Sequence, residues 1–283
     1  MDETRITVIC ENRAGGVIGI TGEHGFAALI ERGDQKILVD TGQGLTLKSN
    51  ADAMGIDLKK INTIVLSHGH YDHTGGLPQV LFPPRGVRVI AHPTVFDKKY
   101  AEIQTPRGKT QAFIGIKFQR EFLEATLGAR FDFQTEYGKI APGVFFSGQV
   151  PRTTDFEHPD THLLVKNDTG FIVDPLLDDA SLLIETAKGP VIVSGCAHAG
   201  IVNVMNHFSE KSGHDTFHSV IGGTHLGFMG VGEQLEKSLE AFDRFKVKLI
   251  AVSHCTGNEA AAICYNRFKE RFAFANAGWS TVF

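Results

Sequence analysis

The sequence predicts an α/β protein in which two mixed β-sheets pack face to face between outer helical layers, an αββα sandwich. Two observations carry that prediction. Four times, a hydrophobic run that reads as a strand stops at a histidine beside Gly or Ser, at His68, His198, His225 and His254. Open α/β sheets build their sites from strands that hand their C-terminal ends to loops in this way. The chain also divides coarsely into two β-rich halves that meet near residue 145.

The elements follow in order. Arg5–Cys10 alternates and reads as a strand; Ala27–Glu31 and Lys36–Asp40 read as a hairpin around Gly33-Asp34. Leu45–Met54 reads as a short helix closed by Gly55. Ile61–Leu66 is a buried strand, and Gly75-Gly76-Leu77-Pro78 opens the helix that follows the next loop. Arg88–His92 is a further strand, with a structural role expected for His92. Residues 94–142 mix charges and aromatics without strand-loop-helix alternation and read as an insertion covering the site or making an oligomer contact. The core pattern restarts at Val144 and continues through 162–166 and 170–174. Ser181–Thr186 and Pro190–Ser194 form a strand pair, and helices are expected over Ile201–Phe208, Val231–Phe245 and Asn258–Phe272. A last strand pair ends at Phe283. No linker is visible, so residues 1–283 read as one domain.

Bulk properties exclude some classes of function. The 283 residues are 42% hydrophobic and 21% charged, enough for a sizeable core. Net charge is −4 and no long basic run occurs, so no nucleic-acid partner is expected. No apolar run reaches the roughly 18 residues of a membrane span. Cys10, Cys196, Cys255 and Cys264 form no CxxC pair, and Met1–Arg5 is no secretory leader. The expectation is a reduced, cytoplasmic setting.

The chemistry concentrates in Ser67-His68-Gly69-His70-Tyr71-Asp72-His73-Thr74-Gly75-Gly76. His68 and His70 point to one side of an extended segment, and a turn swings Asp72 and His73 to a second position. Imidazole and carboxylate donors suit transition metals. Four donors on one loop are too many for a single ion that keeps an open position, so a two-metal site fits better. One or two divalent ions are expected, zinc first, with magnesium, manganese or iron as alternatives. The backbone at Gly75 and Gly76 would offer free N–H groups to an anion, and Arg152 and Lys166 are candidate anion contacts. The expected partner is an anionic small molecule; a homo-oligomer is a further expectation.

His-x-His-x-Asp-His after an apolar strand resembles the metallo-β-lactamase superfamily. That resemblance implies one ion on His68, His70 and His198 and another on Asp72, His73 and His254, with Asp40 bracing the loop from behind. Many relatives place a bridging carboxylate at the next strand end, which here is Gly223-Thr224-His225. His225 therefore reads as a ligand or a general acid, and Asp72 as both ligand and proton shuttle. Asp174 and Asp178 are lesser substitutes for the bridge. A pair of cations held mostly by neutral imidazoles keeps surplus positive charge, which favours phosphate or diphosphate.

Finer motifs narrow the resemblance: Glu23-His24-Gly25, Gly195-Cys196-Ala197-His198-Ala199-Gly200-Ile201, Gly222-Gly223-Thr224-His225-Leu226 and Ser253-His254-Cys255-Thr256-Gly257. Together they look like the subgroup named for 7,8-dihydropterin-6-methyl-4-(β-D-ribofuranosyl)aminobenzene-5′-phosphate synthase. Its reaction, diphosphate displacement from a pterin, is one expectation. A metal-dependent hydrolase of phosphodiesters, phosphate esters or lactones is the second. A metal- and anion-binding protein without turnover is the third.

Overall fold

A computed structural model describes residues 2–283; Met1, the start of the leader reading, lies outside them. The first half opens with an antiparallel meander of β1 (Thr4–Cys10), β2 (Ala27–Arg32) and β3 (Gln35–Val39). Gly33, with φ 54°, takes the left-handed position of the β2–β3 turn. After α1 (Leu47–Ala53), β4 (Thr63–Val65) lies parallel to β3. Two short helices, α2 (Tyr71–Thr74) and α3 (Leu77–Leu81), lead to β5 (Arg88–Ala91), parallel to β4. The hairpin β6 (Lys99–Thr105) and β7 (Gly108–Phe113) leaves this sheet, and β8 (Arg130–Phe133) returns to it beside β5.

The second half starts with the antiparallel pair β9 (Gly138–Ala141) and β10 (Val144–Phe146). The hairpin β11 (Leu163–Asn167) and β12 (Gly170–Val173) follows, then β13 (Ser181–Thr186) against β14 (Gly189–Ser194). From there strand and helix alternate: α4 (Ile201–Ser212), β15 (Ser219–Gly222), α5 (Leu226–Met229), α6 (Glu233–Arg244), β16 (Leu249–Val252) and α7 (Asn258–Phe268). The chain ends with β17 (Phe272–Phe274) and β18 (Ser280–Val282). Among the described residues the sheets run β18-β1-β2-β3-β4-β5-β8, β17-β16-β15-β14-β13-β10-β9 and, smaller, β12-β11-β6-β7.

The strand period of two assigns each side chain to a layer. In β2, Ala27 and Leu29 pack with Leu47, Ala51, Leu77 and Val80 of the helical layer, while Ala28 and Ile30 pack with Val144, Leu182 and Val193 of the opposite sheet. In β14, Ile192 meets Val204, Met205 and Phe208 of α4, and Val191 and Val193 meet the first sheet. Both faces are covered, which is why these strands read as unbroken apolar runs. Each such Val, Leu or Ile contributes about 1.5–3 kcal/mol by burial. The result is the predicted sandwich.

One boundary is corrected. Residues 94–142 are not a single insertion, because β8 and β9, both inside that range, belong to the two large sheets. The small sheet instead joins 99–113 to 163–173 through β6–β11 pairing, Leu163 opposite Ala101. The stretches 162–166 and 170–174, read as core, form its other half. Among the described residues no helix is long and apolar enough to cross a membrane.

Candidate metal centre

Strands β3, β4 and β14 to β16 end at one rim of the sandwich, where the parallel pairings align their C-terminal ends. The loop after β4 is fixed from behind. Asp40, at φ 57° just past β3, accepts from the Ser67 N–H at 2.8 Å and from the Ser67 hydroxyl at 2.7 Å, and meets His73 Nδ1 at 2.7 Å. Gly69 donates its N–H to Asp178 at 2.8 Å. A Cβ at Gly69 would lie 2.0 Å from the Val95 carbonyl, so the close approach requires glycine. Below it, buried Lys99 donates to Asp174 and Asp178, each at 2.9 Å. Those two carboxylates are thus committed to Lys99 and to backbone N–H groups, and neither serves as the bridge considered from sequence.

The side chains converge in two clusters. His68 Nε2 stands 2.9 Å from His70 Nδ1 and 3.2 Å from His198 Nε2. Beside it, His254 Nε2 stands 3.3 Å from His73 Nε2 and 3.2 Å from Asp72 Oδ2, with His73 and Asp72 3.8 Å apart. Donor atoms on one tetrahedral ion, with bonds of about 2.0–2.3 Å, stand roughly 3.3–3.8 Å apart. The second cluster comes within about 0.1 Å of that range, while the first, at 2.9 and 3.2 Å, is drawn somewhat tighter. His70 Nε2 and His198 Nδ1 have no hydrogen-bond partner among the described residues, but the other three rings are tied to positioning groups: His68 Nδ1 to Ser67 Oγ at 2.9 Å, His73 Nδ1 to Asp40 and His254 Nδ1 to Asn12 Oδ1 at 2.8 Å. This fixes which nitrogen of each faces the cluster.

The electrostatics fit a cation as well. Burial, reinforced by neighbouring positive groups, holds His68 and His198 well below the ordinary imidazole range, and burial holds His70 down to about 3. All three stay neutral, the form that binds metal. Burial opposes the charged form of His73, but Asp40 and Asp72 outweigh it and push the ring up to about 9. Burial likewise opposes ionised Asp72, yet His73, His24 and His254 hold it well below the usual carboxylate range. The donor set therefore suits divalent ions: His68, His70 and His198 could hold one, and Asp72, His73 and His254 are grouped to offer a second set of donors.

Other candidates are placed differently. His225 lies outside both clusters. Its ring packs 4.2 Å from that of His198 and its Nε2 is 3.7 Å from Asp160 Oδ2, with no hydrogen-bond partner for either ring nitrogen among the described residues. Burial works against a charged His225, but Asp160 pushes it up to about 9, and His225 in turn draws Asp160 down to about 2. The expected anion contacts are corrected. Gly75 N–H donates to Gly42 O at 2.9 Å and Gly76 N–H to Thr41 Oγ1 at 3.2 Å, so neither is free. Arg152 donates to the His198 carbonyl at 2.7 Å and braces that loop. Lys166 lies over the Phe171 ring in the small sheet and is not among the residues lining the pocket. His92 bonds Thr94 at 2.9 Å and is structural.

A pocket of about 190 Å³ opens onto both clusters, walled by Tyr71, Ala101, Ile114, Leu163 and Phe228 and floored by His70, Asp72, His198 and His254. Its lining also includes two residues not named as candidates from the sequence, His24, 3.2 Å from Asp72, and Asp160, together with Cys196 and Cys255, whose places beside His198 and His254 the sequence did show. The histidine in Glu23-His24-Gly25 was visible in sequence, but only the fold brings it to Asp72. Asp160 carried no signal.

A family model described as metallo-beta-lactamase superfamily matches residues 20–254. The 7,8-dihydropterin-6-methyl-4-(beta-D-ribofuranosyl)-aminobenzene-5′-phosphate synthase of Methanocaldococcus jannaschii is 33% identical over 287 aligned residues, covering 98% of this chain and 96% of that protein. A solved metal-dependent hydrolase of the β-lactamase superfamily superposes with TM-score 0.82 at 27% identity, covering 98% of both chains. Zn(2+)-bound PqqB from Methylobacterium extorquens shares the fold, with TM-score 0.57 at 12% identity over 98% of this chain and 99% of that one.

Proposed function

The chain belongs to the metallo-beta-lactamase superfamily and is a metal-dependent enzyme, and from that premise we propose that it displaces diphosphate from a dihydropterin, with a ribofuranosylaminobenzene 5′-phosphate as the nucleophile. The observation that carries the reading is the pairing of two clusters of metal-ligating side chains on the floor of one narrow, partly aromatic pocket. Divalent ions held by His68, His70 and His198 and by Asp72, His73 and His254 would supply Lewis-acid stabilisation to a leaving diphosphate. The chain's own residues do the rest. Tyr71 and Phe228 offer aromatic faces, and Ile114 and Leu163 aliphatic contact, to a pterin ring. His225 holds a proton at the pocket wall with Asp160 behind it, in place to protonate a departing oxygen. The small sheet supplies Ala101 and Leu163, screening the reacting groups from water.

A second reading is hydrolysis of a phosphate ester or lactone in the same pocket, favoured by the 0.82 TM-score to a metal-dependent hydrolase. The test is incubation of metal-loaded protein with the pterin diphosphate, with and without the ribosyl phosphate, beside a panel of esters. Diphosphate release that needs both substrates supports displacement. Release from the pterin diphosphate alone, or turnover confined to the ester panel, rejects it in favour of hydrolysis.

A further inference from the structure

The two clusters have one carboxylate among their donors, and His225, just past the end of β15, faces Asp160 instead of supplying a further donor to either. The missing negative ligand has a candidate on the neighbouring loop. Cys196 Sγ is 3.2 Å from His73 Nε2. Its donor atom lies within 4.8 Å of those of His68 and His73, and equally within 4.8 Å of those of His254 and Cys255. Cys196 thus faces ligands of both clusters.

We propose that Cys196 supplies a thiolate ligand where the two clusters meet, within reach of an ion in either, with Cys255 as its positioning residue. The inference rests on the metal reading above and adds to it a sulfur donor and a charge.

The local structure is built to hold the sulfur there. Ala197 sits at φ 55°. A Cβ at Gly195 would lie 2.1 Å from Ser67 Oγ and 2.6 Å from Asp40 Oδ2, so glycine lets this loop press against the group that braces the metal loop. A Cβ at Gly223 would lie 2.5 Å from Cys255 Sγ. Cys255 Sγ donates to the Cys196 carbonyl at 3.4 Å and accepts from the His225 N–H at 3.2 Å, tying the three strand-end loops together. Cys264 shows the contrast: it packs among Phe242, Ala261 and Phe268 in an apolar core, as an ordinary buried cysteine does. Cys196 is equally buried but looks at imidazoles. Coordination forms a metal–sulfur bond as the S–H bond breaks, and the proton leaves to solvent; a bound divalent ion removes a thiol proton outright. The ligand set becomes softer, which selects zinc over magnesium.

Cobalt(II) loading of the full-length protein tests this. Expected is a thiolate-to-cobalt charge-transfer band in the near ultraviolet beside the visible d–d bands. Cys196→Ser should lose the former and keep the latter, whereas Cys255→Ser should keep both. Should Cys196→Ser fail to fold, X-ray absorption of the zinc-loaded wild type replaces it, with a sulfur shell at about 2.3 Å expected. Visible d–d bands without charge transfer, a band that survives Cys196→Ser, or a shell of nitrogen and oxygen alone overturns the thiolate while leaving the metal reading intact. Failure to bind cobalt or zinc at all overturns both.

Discussion

His73 shows how much of this site rests on single contacts. One ring nitrogen faces the second cluster because the other is held by Asp40, which also anchors Ser67. Asp40→Asn keeps the volume but turns one oxygen into a donor, so His73 loses its orientation. Metal affinity should fall by about 10–100-fold, read by competition with a chromogenic chelator; an unchanged affinity would remove Asp40 from the positioning role. His68→Ala and His198→Ala remove donors 3.2 Å apart in the first cluster. Each should strip metal and activity together, and elemental analysis finding wild-type metal in both variants would refute the cluster. The loop histidines and Asp72 were legible because their donors are adjacent in sequence. His24 and Asp160 were not, because their partners, Asp72 and His225, are distant in sequence and meet only across folded loops.

At the scale of elements, the metal loop depends on the small sheet as much as on the strand that delivers it. Lys99 of β6 reaches under the loop to two aspartates beyond β12, one of which holds Gly69. Removing one partner of a buried ion group leaves charge uncompensated. Lys99→Met should therefore destabilise the fold by about 3–5 kcal/mol in denaturant unfolding, and a variant as stable as wild type would show that the group is not structural. The periodicity of residues 94–142 gave no clue to this arrangement. Strand pairing between β6 and β11 is a long-range event, and a polar, half-covered hairpin lacks the unbroken apolar run that identified β4 or β14. The Gly75-Gly76 stretch misled for a similar reason: its backbone groups looked free at a helix start, but the loop at residues 41–43 packs onto them.

For the whole molecule, each cluster joins loops from both halves, so an ion bound there would link the two sheets. A ligand that binds only the folded state stabilises it by mass action, about 4 kcal/mol at a thousandfold excess over Kd. Stripping the protein with a chelator should lower Tm, and adding back zinc should restore it; an identical Tm with and without metal would mean that the clusters bind no ion in the folded protein. The sequence by itself determined the αββα architecture, the four strand ends that carry histidine and the six-residue ligand loop. The strand ends and the loop follow from hydrophobic period and local spacing, which each stretch of chain carries within itself, and the layering from the two β-rich halves together with the family resemblance of the motif. Only the tertiary structure decided that His225 turns to Asp160, that Gly75, Gly76, Arg152 and Lys166 are engaged elsewhere, and that Cys196 faces the imidazoles. Those outcomes depend on which loops pack against which across the rim, and no local pattern encodes a partner a hundred residues away.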